Sequence, residues 1–502
     1  MPLSRRAFLG AVGATALTWT DRLAAQVTSP VFQHGVASGD PLTDRVILWT
    51  RVTPKDTTTR RIRVRWQVMT DAAVPIAIRR GEQSASATRD FTVKVDVGGL
   101  EPGRSYTYRF EADDEQSPLG RTRTLPRTAT QFRLAVVCCS NYPAGFFNAY
   151  RVIAERTDID TVVHLGDYIY EFGNGTFGEG AALDRVPDPP REIISLDDYR
   201  RRYAIYRRDA DVQALHQAHP MIAIWDDHEF ADNAWFAGYG SGVTGWAERR
   251  AAAIQAYREW MPIRERVSDG TFEIYRHFQV GTLAGLTMLD TRSLRDAQTF
   301  ITDARAVRDA RRRLLGVRQE TWLGNTLRQS KQVGTTWSLV GQQVMFSPFA
   351  SPQLRQNPDA WDGYQAERGR IRDLFGDAGN VAILTGDTHS SWALDVPGDP
   401  WSSYTPSTGQ GSRAVELIAP AVSSQPYFTG DQEQTLGPGI RGAMPHLKFL
   451  DGEHRGFLVV TVTPSRLEAS WHFTPDVTTR SAVTVAGPTF VVEAGSMHLQ
   501  RG

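Results

Sequence analysis

The chain has 502 residues, 41% of them hydrophobic and 22% charged, which is enough apolar material for more than one core and excludes a disordered protein. Its 56 basic and 56 acidic residues balance to a formal net charge of zero, so no global field draws it to nucleic acid or anionic lipid and any recognition of phosphate must be local. Cys138 and Cys139 are the only cysteines, and adjacent residues make a poor mutual disulfide.

The first residues, Ser4-Arg5-Arg6-Ala7-Phe8-Leu9-Gly10, put an arginine pair before a modest apolar stretch that ends near Ala25. That pattern predicts a twin-arginine export signal over residues 1–25, recognised by the twin-arginine translocation machinery and removed to leave a periplasmic or secreted protein. This route usually carries folded proteins, often with a metal already inserted. No later stretch is a long uncharged apolar run, so no transmembrane segment is expected in the mature chain. From 30 to 126, short β-branched and aromatic segments alternate with a period of two, among them Val46–Trp49, Ile62–Val68, Phe91–Val95 and Tyr106–Phe110. They predict an N-terminal β-sandwich, and Gly99-Leu100-Glu101-Pro102-Gly103 before Tyr106 and Tyr108 resembles the corner of an immunoglobulin/fibronectin-like domain. A Thr/Arg/Pro linker follows over 122–131.

The rhythm then changes to apolar runs separated by helical stretches, which predicts an α/β catalytic domain over 132–490. Expected strands are Phe132–Val137, Thr161–Leu165, Met221–Trp225, Leu286–Leu289, Trp337–Val340, Val381–Leu384, Leu417–Ala419 and Phe457–Val462. Expected helices are Leu196–Leu215, Ala247–Trp260, Arg318–Gln332 and Ala366–Phe375. Four of these strands stop on metal-competent residues: Cys138-Cys139-Ser140-Asn141, Gly166-Asp167-Tyr168-Ile169-Tyr170-Glu171, Asp226-Asp227-His228-Glu229 and Gly386-Asp387-Thr388-His389. In an open α/β sheet the crevice outside the strand carboxyl ends is where ligands bind. A single aspartate after a strand is usually a cap or turn former; four coincident ends are not explained that way. His164 reads as a satisfied core histidine, Trp225, Trp392 and Phe230 as packing residues, and Cys138 as a small buried residue facing away from Cys139.

Hydrolysis of a phosphoric ester requires a hydroxide nucleophile and neutralisation of the transferring phosphoryl charge, and a pair of metal ions supplies both. Asp167 is the candidate bridging carboxylate. Thiolate and phenolate beside carboxylates suit ferric iron, whereas aspartate, asparagine and carbonyl oxygens suit calcium, magnesium or manganese.

These motifs, with Asp232-Asn233, Leu289-Asp290-Thr291-Arg292-Ser293 and the opening Phe32-Gln33-His34-Gly35-Val36-Ala37-Ser38-Gly39-Asp40-Pro41, resemble the alkaline phosphatase D (PhoD-like) family over nearly the whole chain. The resemblance implies a metallophosphoesterase β-sandwich core flanked by helices, phosphomonoesterase and phosphodiesterase activity, and Fe3+ with Ca2+ as cofactors, other divalent metals remaining open. Carried over to this sequence, it implies Cys139 and Tyr170 on iron, Asp167 bridging, Asn233 on calcium and Asp387 on either. Asp227 is assigned as a further ligand and Asp226 to the site; three neighbouring polar residues cannot all enter one pocket, so one aspartate is expected to cap backbone. Arg249, Arg250 and Arg292 are candidate phosphate ligands. Asp167, His228, His389 and Arg250 are the candidate catalytic set, and His454 is a further imidazole. The expected function is phosphate scavenging from small phosphate esters by a metal-activated hydroxide. The alternatives are a phospholipase D-like diesterase acting on phospholipids, and a catalytically dead surface binding protein.

Overall fold

The computed structural model describes residues 29–240, 242–268, 270–299, 303–349 and 357–502; the expected export signal at 1–25 lies outside them. Two large sheets carry the chain. In the first, ten strands are ordered Gln500–Arg501, Val485–Glu493, Arg466–Thr474, Arg455–Val462, Phe132–Val137, Thr161–His164, Met221–Ala223, Val36–Gly39, Arg45–Arg51, Thr92–Gly98. The second has seven, with Ala284–Met288, Trp337–Gln342, Val381–Thr385 and Ser412–Ile418 parallel at its centre. Both central sets are apolar runs buried on both faces, as parallel strands require.

Val136, Val163 and Ala223 of the first sheet share one buried cluster with Leu286, Leu339, Leu384 and Leu417 of the second, so the sheets pack face to face. Helices cover the outsides. Asn148–Glu155, Leu196–Arg208, Ala210–Ala218 and Trp246–Trp260 contribute Tyr150, Tyr203, Val212 and Trp260 to the first cluster. Gly316–Gln332 and Gln365–Ala378 bury Leu323, Leu327, Ile371 and Phe375 against Val340, Ile383 and Ile418 in a second. At the carboxyl edge the sheets are joined by a parallel bridge between Cys138 and Ala421.

The segment expected as one helix over Leu196–Leu215 is two. Ser195 and Asp198 form a capping box at the start of the first, and Asp209 then takes extended backbone (φ −65°, ψ 132°) and accepts the N–H groups of Asp211 and Val212 to start the second. The strands of residues 30–126 divide between sheets. Val36–Gly39, Arg45–Arg51 and Thr92–Gly98 extend the ten-stranded sheet, Gly39 pairing with Met221. Arg61–Thr70, Ala77–Ser86, Ser105–Ala112, Glu115–Gln116 and Gly120–Arg123 form a separate five-stranded sheet, packed on the first three through Val46, Leu48, Val64, Val68 and Tyr108. The linker expected at 122–131 therefore overlaps the end of the last of these strands. Strands at Val485–Glu493 and Gln500–Arg501 carry the catalytic sheet past residue 490. Among the described residues no helix is long and apolar enough to cross a membrane.

Candidate metal centre

The four expected loops meet at one edge. Backbone bonds lace the first two together, Cys139 N–H donating to Gly166 O at 3.1 Å and Ser140 N–H to Asp167 O at 2.9 Å, and Gly386 N–H ties the fourth to the neighbouring strand end at Gln343 O, 3.0 Å away. Cys139, Asp167, Asn233, Asp387 and His389 all sit at φ between 52° and 63°. Left-handed backbone is uncommon for any residue but glycine and concentrates where a side chain must be aimed; here it follows the first, second and fourth of these strands at Cys139, Asp167 and Asp387, while the third reaches it only at Asn233, well past its end. Gly166 (φ 110°) lies so close to the third loop that a Cβ there would stand 2.5 Å from Asp226 Cβ.

Three groups of donors converge, each with its ligand atoms within 4.8 Å of one another: Cys139, Asp167 and His389; Asp167, Asp227 and His228; Asp226, Asp227 and Asp387. Asp167 and Asp227 each belong to two, and of the two only Asp167 also has a place in the group with Cys139 and His389. Tyr170 joins the first through its hydroxyl, which donates to Asp167 Oδ2 at 2.9 Å, lies 3.0 Å from His389 Nε2 and accepts from Ser424 Oγ at 2.8 Å. Asn233 sits beside Asp227, whose Oδ2 accepts its N–H at 2.6 Å, while its own Oδ1 accepts from Gln298 Nε2 at 2.9 Å.

Asp226, Asp227 and His228 all reach the site, contrary to the expectation that neighbours would face apart. Regular strand ends at Ala223, so the alternation of side chains stops before these residues, and the turn closed by Phe230 N–H on Asp227 O fans them out. Asp227 also does the capping expected of one aspartate, its Oδ2 accepting Asn233 N–H at 2.6 Å, and it is joined in this by Glu229. Its carboxylate accepts the N–H groups of Asp167, Tyr168 and Asp226 at 2.6 to 3.0 Å, fastening the second loop to the third.

The electrostatics are those of a crowded acid cluster. Burial, opposed by His228 and reinforced by Asp226, Asp227 and Glu229, pushes the Asp167 carboxyl well above its usual range. Burial likewise raises Asp226 against the pull of Arg292 and brings Asp387 to about 7. The Cys139 thiol is pushed well up by burial, Cys138 and the neighbouring aspartates, and the Tyr170 phenol by burial, Asp167 and Cys139. Although burial works against it, the carboxylates of Glu171, Asp227 and Asp167 hold the His228 imidazole well above its usual value, Glu171 Oε2 lying 2.8 Å from His228 Nδ1. Asp167 Oδ1, Asp226 Oδ2 and Asn141 Oδ1 are buried acceptors without a hydrogen-bond donor. Buried acceptors left open beside carboxyls that burial pushes upward are what a cation site shows, because metal binding releases protons from its ligands. Against its own burial, Asp227 alone of these carboxyls is drawn down, to about 2, by Arg292 and His228. The donor set fits the metals expected: sulfur, phenol and imidazole at one end, carboxylates and an amide at the other.

The arginines separate. Arg292 is buried and meets four carboxylates, with Nε on Asp226 Oδ1, Nη1 on Asp359 Oδ1 at 2.8 Å, and Nη2 at 3.2 Å from both Asp227 Oδ1 and Asp387 Oδ1. A guanidinium so saturated acts first as counter-ion to the cluster. Arg249 is also buried, held by Glu192 Oε1 at 2.8 Å and Tyr199 hydroxyl at 3.1 Å. Arg250 is partly exposed, donates to Ser293 O at 3.3 Å and has no carboxylate partner among the described residues. His454 lies apart, paired with Asp451 at 2.8 Å. His164 accepts the role of a core residue beside Tyr150 hydroxyl at 2.8 Å, burial depressing it to about 3. Sequence inspection missed Asp359, Gln298, Ser424 and the capping role of Glu229. Only Glu229 carried a signal, standing inside a motif already singled out.

Known proteins resemble the chain over most of its length. The model of the PhoD-like phosphatase family matches residues 134–471, and that of the PhoD-like phosphatase N-terminal domain matches residues 16–126. Alkaline phosphatase D of Bacillus subtilis (strain 168) is 35% identical over 503 aligned positions, covering 95% of this chain and 83% of the relative. A solved structure described as that of PhoD superposes with a TM-score of 0.84 at 34% identity, over 94% of this chain and 92% of the other. With family models spanning most of its length and a relative this similar, the chain belongs to the PhoD-like phosphatase family.

Proposed function

We propose that this chain is a phosphoric-ester hydrolase whose reaction takes place at the edge where Cys139, Asp167, Asp227, His228, Asp387 and His389 converge. The observation that carries the reading is the shared position of Asp167, whose carboxyl belongs to two donor groups and whose Oδ1 is a buried acceptor without a donor. Cys139, Tyr170, Asp167 and His389 would hold iron, and Asp167, Asp227, Asn233 and Asp387 calcium, a division supported by their hard and soft donors. Bound there, the metals supply Lewis acidity to the phosphoryl group and acidify the attacking water. Glu229 fixes the two loops that carry Asp167 and Asp226. Arg250 offers a guanidinium to a phosphate oxygen, which its exposure and lack of a carboxylate partner support. His228, oriented by Glu171, is placed to orient or protonate the leaving oxygen.

Asp167→Ala should lower turnover of p-nitrophenyl phosphate by on the order of a thousandfold or more, with unchanged circular dichroism and a lower metal content. Full turnover in that variant would overturn the assignment. Export by the twin-arginine route and a role in phosphate scavenging belong to the same proposal; the Arg5-Arg6 motif supports the first. The immunoglobulin/fibronectin-like reading of residues 30–126 is supported by two antiparallel layers closing over Val64, Val68 and Tyr108.

A further inference from the structure

Beside the metal-type donors stands a ring for which the chemistry above has no use. Phe177 lies in the loop after Tyr170 and is only half-buried. Its ring centroid is 6.3 Å from that of His228 at an interplanar angle of 16°, 5.9 Å from His389 at 30°, and 5.7 Å from Tyr170 at 30°. Phe172 closes the group at 5.9 Å from Phe177 and 5.3 Å from His228. Phe177 is thus the outermost ring of a near-parallel set whose inner members are candidate ligands and proton donors. The loop that carries it is fastened. Asn174 N–H donates to Pro190 O at 3.0 Å, Gly175 N–H to Gly178 O at 2.9 Å, and Asn141 Nδ2, from the first strand-end loop, to Phe177 O. Gly178 (φ 117°) lets the chain pass Ala144, whose backbone N would stand 3.2 Å from a Cβ. A second aromatic, Tyr427, is 51% exposed and is tied to the same site through its N–H on His389 O at 3.2 Å.

An apolar ring held rigidly and half in water beside a buried acid cluster gains little for the fold. The part of such a ring left in water does what aromatic surfaces do, packing on flat groups with offset or edge-on geometry. We infer that Phe177 determines specificity, its ring receiving a planar leaving group, aryl or nucleobase, of the phosphoric ester while the phosphoryl group lies on the donors beneath. This rests on the phosphoesterase reading and narrows its substrate class. Phe177 touches no reacting atom; it positions the leaving group.

The test compares esters of similar leaving-group acidity that differ in flatness, naphthyl and hexafluoroisopropyl methyl phosphates, on the metal-loaded protein. Phe177→Ala should lower kcat/KM for the naphthyl ester on the order of tenfold, mostly through KM, and change the hexafluoroisopropyl ester less than twofold. Phe177→Tyr should restore the naphthyl rate, and metal content should stay that of the wild type in all variants. Equal losses on both esters, or a Phe177→Leu variant as active on naphthyl as the wild type, would overturn the inference while leaving the hydrolase reading intact. Turnover of p-nitrophenyl phosphate but of neither diester would overturn the inference alone, and turnover of none of the three would overturn both.

Discussion

Arg292 shows how a residue's surroundings revise what its type suggests. An arginine after a strand end reads as a phosphate ligand, yet its guanidinium is spent on Asp226, Asp227, Asp359 and Asp387. Removing one partner of a buried ionic network typically costs about 3–5 kcal/mol, because the remaining charges are left uncompensated. Arg292→Met should therefore destabilise chelated protein by about that amount in urea unfolding, and calcium should recover more stability in the variant than in the wild type. Equal stability of the two chelated proteins would mean that the carboxylates are neutralised by protons alone. Asp359, the partner shared by Arg292 and Arg295, could not be read from the sequence, because it follows no strand and its role exists only through residues some 65 positions away. The strand-end donors could be read, because each stands at a fixed offset from an apolar run.

At the scale of elements, the parallel strands were legible because burial on both faces makes them continuous apolar runs, and their order along the chain is enough to put their ends on one edge. Two classes of element were not. The helix Gln432–Ala443 contains Gly437, Pro438, Gly439 and Gly442, so packing of Ile440 rather than propensity holds it. The outer strand Val485–Glu493 begins with half-exposed, Gly- and Pro-bearing residues and pairs with register shifts. The close approach of the second and third site loops at Gly166 is also an element-level fact. Gly166→Ala adds a Cβ 2.5 Å from Asp226 Cβ at φ 110°, and should cost more than ~2 kcal/mol of stability and most of the activity by parting Asp167 from Asp226. A variant with wild-type stability and turnover would show that the two loops separate freely.

For the whole molecule, a period of two announced the N-terminal strands but not which sheet they would join. Periodicity reports which face is buried and is silent on the partner. The outcome is that the N-terminal segment is part of the scaffold of the site. Asp40 forms a bidentate buried pair with Arg276 at 2.8 and 2.9 Å, Trp49 Nε1 donates to Glu259 O at 2.7 Å, and Arg207 lies over the Trp49 ring at 3.9 Å. The strand Val36–Gly39 lies directly beside Met221–Ala223, which delivers Asp226 and Asp227. The account as a whole stands on metal ions held by the strand-end donors and used to cleave a phosphoric ester. Its most direct test is turnover of p-nitrophenyl phosphate and bis-p-nitrophenyl phosphate at alkaline pH, before and after a chelator and again after calcium is returned, with metal content measured at each stage. Turnover should be abolished by the chelator and restored by calcium; turnover indifferent to the chelator after the metals are gone, or none by protein shown to hold them, would rule out metal-dependent hydrolysis at this edge.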